Sequence, residues 1–159
     1  MKEYLSNTPR IKERRMKIYV INGPSLNMLG IREPEKYGHT SYADLCKTVE
    51  SFCKQRDCEC VIFQSNHEGA LIDKIQEAYT EGADGIVINA GAYTHTSIAL
   101  LDALLSVSIP AVEVHITDVG AREAFRQVSY ISQYCEKVIT GRGIAGYTDA
   151  VRYLLEERK

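Results

Sequence analysis

Five short β-branched runs, at residues 17–22, 59–64, 85–89, 111–116 and 137–140, recur along the chain with helical stretches between them. Strands that alternate with helices predict a parallel sheet, because a parallel neighbour is reached only through a crossover. The runs IYVIN, GIVIN and AVEVHI are almost continuously apolar, as strands covered on both faces must be, and so take the sheet centre. Helices are expected over 42–55, 68–81, 96–107 and 146–156, with a shorter one beginning near Arg122. Ser41 and Asn66 are the expected N-caps of the first two, and Gly82 stops the second. Five parallel strands in this pattern most often build an α/β, flavodoxin-like three-layer sandwich with strand order 2-1-3-4-5. A ligand then belongs beyond the carboxyl ends of the strands, where the order reverses between the first and the third.

At 159 residues, 45% hydrophobic and 25% charged, the chain suits one domain with its own core and excludes a disordered or collagenous class. That domain is expected over 16–159. Residues 1–15 form a basic arm of net charge +3, against −5 for the remainder. A flexible extension, a packing arm and an over-long start are three readings of it. A total of −2 gives no reason to expect a nucleic-acid partner. The arm has no apolar core of a signal peptide, and no apolar run approaches the roughly 18 residues of a membrane span, so a cytoplasmic protein off the membrane is expected. The five cysteines, Cys46, Cys53, Cys58, Cys60 and Cys135, show neither a CxxC pair nor zinc-ligand spacing and read as reduced thiols, with no metal site.

Reading out from the central strands gives Asn22 to Asn27, then Asn89 to His95, then His115 to Asp118, and these polar groups converge on one edge. The long Gly- and Pro-bearing loop after the first strand has the character of an active-site lid. It carries neither a P-loop nor a GxGxxG, so a nucleotide cofactor is rejected. Within it, Arg32 and Tyr37 are near enough for a guanidinium to reach a phenol. A phenol has a pKa of about 10, so using it as a base at pH 7 costs roughly 4 kcal/mol unless cations lower that value. Taken alone, Tyr37 reads more readily as a half-buried loop aromatic.

His115 ends the fourth strand and Glu113 lies two residues earlier, on the same face. A carboxylate beside an imidazole fixes its tautomer and favours the protonated form, as a general acid needs. A core histidine bonded to backbone is the competing reading. The backbone N–H groups of Ile116 and Thr117 are placed to bind a carboxylate. His95 and Asp102 bracket two turns of one helix, about 10 Å apart along its axis, so one small ligand does not easily touch both. Ile98, Leu100, Leu101, Leu104, Leu105 and Val107 wrap most of that helix, which points to a subunit interface with Asp102 reaching a neighbour's site. Arg122 and Arg126, four apart, suit one guanidinium in the pocket and the other in structural ion pairs, although a surface salt bridge is the simpler reading of either alone. His39 and His67 have no such companions.

NGPSLNMLG, REPEKYG, FQSNHEG, GIVINAGAYTHTS, VEVHI and ARE-FR occur in this order, and together they resemble the type II 3-dehydroquinate dehydratase family over about residues 16–150. The resemblance implies a flavodoxin-like fold, a homododecamer built from trimers, no cofactor, and a dehydration shared by the shikimate route of aromatic amino acid biosynthesis and by quinate catabolism. It implies Tyr37 as the base at C2 of 3-dehydroquinate, Arg32 as the group lowering its pKa, His115 as the acid, and Glu113 as the group orienting that acid. Asn89, His95, Ile116, Thr117 and Arg126 would hold the substrate, with Asp102 supplied by the adjacent subunit.

The chemistry is coherent without the family name. Eliminating water β to a ketone requires a base at the α-carbon, stabilisation of the enolate, and an acid for a poor leaving group. No lysine stands at the converging strand ends, so a Schiff base has no candidate there.

Five departures from the family pattern stand out. Ser25 replaces the usual Asn of NGPNLN, the side chain implied to hold the enolate or its bridging water. Thr117, Asp118 and Gly120 replace a common Ser, Asn and His, and Leu101 stands where Arg is common. Ser25 and Asp118 motivate the alternative of a non-catalytic small-molecule binding protein on the same scaffold. A flavodoxin or receiver module lacks its flavin loop and its strand-end phosphoacceptor Asp.

Overall fold

The computed structural model describes residues 14–31, 35 and 39–158. Its sheet comprises β1 (Lys17–Asn22), β2 (Glu59–Gln64), β3 (Gly85–Asn89), β4 (Ala111–His115) and β5 (Lys137–Thr140), all parallel, in the order β2-β1-β3-β4-β5. This is the predicted flavodoxin-like topology. The helices are α1 (Tyr42–Gln55), α2 (Glu68–Thr80), α3 (Ile98–Val107) and α4 (Ala145–Arg152), the last continuing into a wider turn over Tyr153–Glu157.

The period of two sorts the strands between two cores. Ile18, Val20, Val87, Val112 and Val114 pack under α1 and α4, with Leu45, Val49, Tyr147 and Val151. Tyr19, Ile21, Ile86 and Ile88 pack under α2 and α3, with Leu71, Ile75, Leu100 and Leu104. Residues of β1, β3 and β4 are buried almost throughout, whereas β2 at one edge is only half-buried. That burial explains their continuous apolarity. All five cysteines are free thiols, and Cys53 and Cys58 fill the core beneath α1.

Several boundaries differ from expectation. Ser41 does cap α1, in a reciprocal box with Asp44. Residue 67, not Asn66, precedes α2, because the Asn66 carboxamide oxygen accepts from the Ser25 and Gln64 N–H groups instead. Helix α3 starts at Ile98, since Ser97 receives the Leu100 N–H and the chain before it is a 3₁₀ turn over Gly91–His95. His95 and Asp102 therefore do not share a helix. The helix expected near Arg122 is two 3₁₀ turns, Val119–Ala121 and Ala124–Arg126. There the Gln127 amide gathers the carbonyls of Val119, Arg122 and Glu123, which an α-helix would have bonded to backbone N–H groups. Gly82, at φ +67, ends α2 as expected. Residues 1–13 of the basic arm lie outside the described residues.

Candidate active site

Beyond the carboxyl ends of the three central strands lies one cleft. Pro24, Ser25, Leu26 and Leu29 reach it from the loop after β1, and Asn89, Gly91, Ala92 and His95 from the turn after β3. His115, Ile116, Thr117, Val119, Arg122 and Arg126 enter from the end of β4 and the turns that follow. This is the switch point of the strand order, where β1 pairs with β2 on one side and β3 on the other.

Close backbone approach brings the first two loops together. The Gly23 N–H donates to the Asn89 carbonyl at 2.7 Å, and a Cβ on Gly23 would stand 2.3 Å from the Ala90 carbonyl oxygen. Gly91, at φ +58, turns the chain so that its N–H donates to Asn89 Oδ1. Beneath them Asn89 Nδ2 donates to the Tyr147 hydroxyl, which donates in turn to Asn22 Oδ1 at 2.6 Å. Asn89 thus lines the cleft with each end of its amide fixed by one bond, which leaves a second N–H and a second lone pair unused by these two bonds.

Glu113 is fully buried, and its Oε1 accepts from His115 Nε2 at 2.8 Å, Ser129 Oγ at 2.7 Å and Thr94 Oγ1 at 2.5 Å. Burial alone would raise the Glu113 pKa, yet the bonds from His115, Thr94 and Ser129 outweigh it and hold the carboxyl below its usual value. An ionised Glu113 only accepts, so the Nε2 of His115 carries a proton. Likewise His95 Nδ1 lies 2.7 Å from the Val128 carbonyl, which also only accepts. Nδ1 therefore donates there, and neutral His95 keeps Nε2 as an acceptor for a ligand hydroxyl.

Gly141 N–H donates to the His115 carbonyl and Gly143 N–H to the Ile116 carbonyl. A trans peptide sets N–H opposite C=O, so the amides of Ile116 and Thr117 are oriented away from those glycines. Both arginines line the cleft and both face one carboxylate: Arg126 Nε donates to Glu123 Oε2 at 2.9 Å, and Arg122 Nε stands 3.7 Å from the same oxygen. Glu123 is held below its usual pKa by its own backbone N–H and by these two arginines. Asp102 is exposed on α3 and does not line this cleft. Arg32 and Tyr37 lie outside the described residues. Among the described residues no group of three His, Cys, Asp or Glu side chains is placed to hold a metal, and no helix is long and apolar enough to cross a membrane.

The model of the family Dehydroquinase class II matches residues 16–155. The chain belongs to the class II dehydroquinase family. A 3-dehydroquinate dehydratase of Fusobacterium nucleatum is 54% identical over 143 residues, covering 89% of this chain and 97% of that protein. A catabolic 3-dehydroquinase of Candida albicans is 52% identical over 141 residues, covering 87% and 97%. Among solved structures, the type II dehydroquinase of Butyrivibrio crossotus superposes with a TM-score of 0.87 at 54% identity, covering 88% of this chain and 97% of that one.

The departures from the dehydroquinase pattern have specific places in this fold. Ser25 lines the cleft at φ 67, a left-handed conformation, with its N–H on Asn66 Oδ1 at 2.9 Å. Asp118 turns its carboxylate onto the Gly120 N–H and caps the 3₁₀ turn, outside the cleft lining. Sequence reasoning missed the supports. Asn66 braces Ser25 and accepts from the Tyr93 hydroxyl through its carbonyl. Thr94 and Ser129 hold Glu113 from positions 35 apart, a separation that carries no local spacing signal.

Proposed function

We propose that this chain is a 3-dehydroquinate dehydratase, a hydro-lyase that removes water from 3-dehydroquinate through an enolate to give 3-dehydroshikimate. The observation that carries the reading is the buried Glu113–His115 pair at the end of β4, whose histidine lines the cleft. Ionised Glu113 accepts the His115 Nε2 proton and orients the ring, and the imidazolium is the acid that protonates the departing C1 hydroxyl.

Tyr37 is the base at C2, assigned through REPEKYG, with Arg32 beside it lowering the cost of the phenolate. Backbone amides of Ile116 and Thr117 take the substrate carboxylate, His95 Nε2 and Asn89 take its hydroxyls, and Arg126 adds charge. Ser25 holds the enolate oxygen or its water. Asp102 enters from an adjacent subunit. The reaction needs base, acid and enolate stabilisation, all of which side chains and amides supply.

The test follows the conjugated enone of the product by ultraviolet absorbance, with Tyr37→Phe as control. Wild type is expected to generate the enone, and Tyr37→Phe to lose about 10²-fold or more in kcat while calorimetric substrate affinity stays within about threefold. A near-normal kcat for that variant would remove Tyr37 as the base. Tight substrate binding without product would favour the binding-protein reading.

A further inference from the structure

Resting on the dehydratase reading, we infer that Ser129, seconded by Thr94, is a positioning residue that keeps Glu113 ionised and aimed at His115. Three donors converge on Oε1 of this fully buried carboxylate, while Oε2 has no hydrogen-bond partner among the described residues. Such crowding on one oxygen fixes the plane of the carboxylate. It also supplies the solvation that burial removes.

Ser129 is itself oriented. Its Oγ accepts from the Ser132 N–H at 3.1 Å, which leaves its single hydroxyl proton for Glu113. The Thr94 and Ser129 oxygens are 3.3 Å apart, yet each proton has the stronger acceptor in the anion. Flanking residues belong to the same device: Tyr130 N–H donates to the Thr94 carbonyl, and the Val128 carbonyl receives His95 Nδ1. Residues 128–130 therefore tie the segment that carries Arg122 and Arg126 to both histidines of the cleft.

Without these hydroxyls Glu113 would take up a proton more readily. A neutral carboxylic acid can donate to Nε2 and leave a neutral imidazole, which is a far weaker acid than imidazolium. The titratable groups facing Glu113 are His115 on its own strand and the partly buried Cys135 thiol, whose ionisation is suppressed first by desolvation and then by the Glu113 charge. Removing a donor to the anion raises the Glu113 pKa, so the carboxylate is lost at a higher pH as acid is added.

The experiment is the pH profile of kcat and KM for Ser129→Ala and Thr94→Val, with Ser129→Thr as the conservative variant. Both deletions are expected to move the acid limb up by about one pH unit, so that kcat on that limb falls by about tenfold, with KM held within about threefold. Ser129→Thr should restore most of the loss. An infrared difference titration of the Glu113 carboxyl, identified against Glu113→Gln, reads the same shift without turnover. Silence from wild-type enzyme would fail the dehydratase reading while the infrared shift still decides this one. An acid limb and carboxyl titration unmoved in both deletions, or a loss that falls on KM alone, would overturn it.

Discussion

Ser25 occupies backbone space that L-residues with a β-carbon seldom enter, at φ 67 and ψ 0. Asn enters that region several-fold more often than other non-glycine residues, and Ser gains nothing there to match it. Ser25→Asn should therefore stabilise the fold by about 0.5–1 kcal/mol, seen as a rise of roughly 1–4 °C in the thermal midpoint. On the dehydratase reading it also restores a longer amide at the enolate, so kcat should hold or rise. A large fall in kcat would mean that the cleft has been rebuilt around the hydroxyl. The replacement was visible in the sequence, but its torsion was not. A one-residue left-handed turn depends on Asn66, 41 positions away, which holds the Ser25 N–H.

At the scale of elements, legibility followed the range of the interaction. Strands β1, β2, β3 and β5 have the bounds their β-branched runs predict, because burial on a sheet acts on consecutive residues. The pairing of Glu113 with His115 was equally legible, since strand period alone puts them on one face. Helix starts were less so, since a capping side chain can be drawn off elsewhere, as Asn66 is. The Glu113 cradle of Thr94 and Ser129 was invisible, because it joins a 3₁₀ turn to a distant loop. The tightest constraint between elements is the crossing of Gly23 over Ala90. Any side chain there must force the ends of β1 and β3 apart. Gly23→Ala should cost about 3 kcal/mol or more and disorder the cleft with it, measured by denaturant unfolding. An unfolding midpoint equal to wild type would show that these strand ends slide freely.

At the scale of the whole molecule, one surface of α3 has no cover among the described residues. Leu100, Leu104 and Val107 are buried against the sheet, but Ile98 and Leu105 remain 55% and 53% exposed, a stripe two turns long that passes Leu101 and Asp102. Phe125 and Val128, on the segment that ties the two histidines, are 71% and 56% exposed as well. In the dodecamer that the family resemblance implies, a second copy of the chain would cover this face and Asp102 would reach a neighbouring cleft. Two glutamates in place of Ile98 and Leu105 would put charge into that contact without touching the cleft of their own subunit. Ile98→Glu with Leu105→Glu should yield smaller particles by sedimentation velocity and, at the same protein concentration, a kcat lowered by at least about tenfold, because every cleft loses its borrowed carboxylate. Asp102→Ala should reproduce the kinetic loss with the assembly intact, which separates the role of the carboxylate from that of the contact. Full activity in a monomeric wild type would remove both the assembly and the shared site.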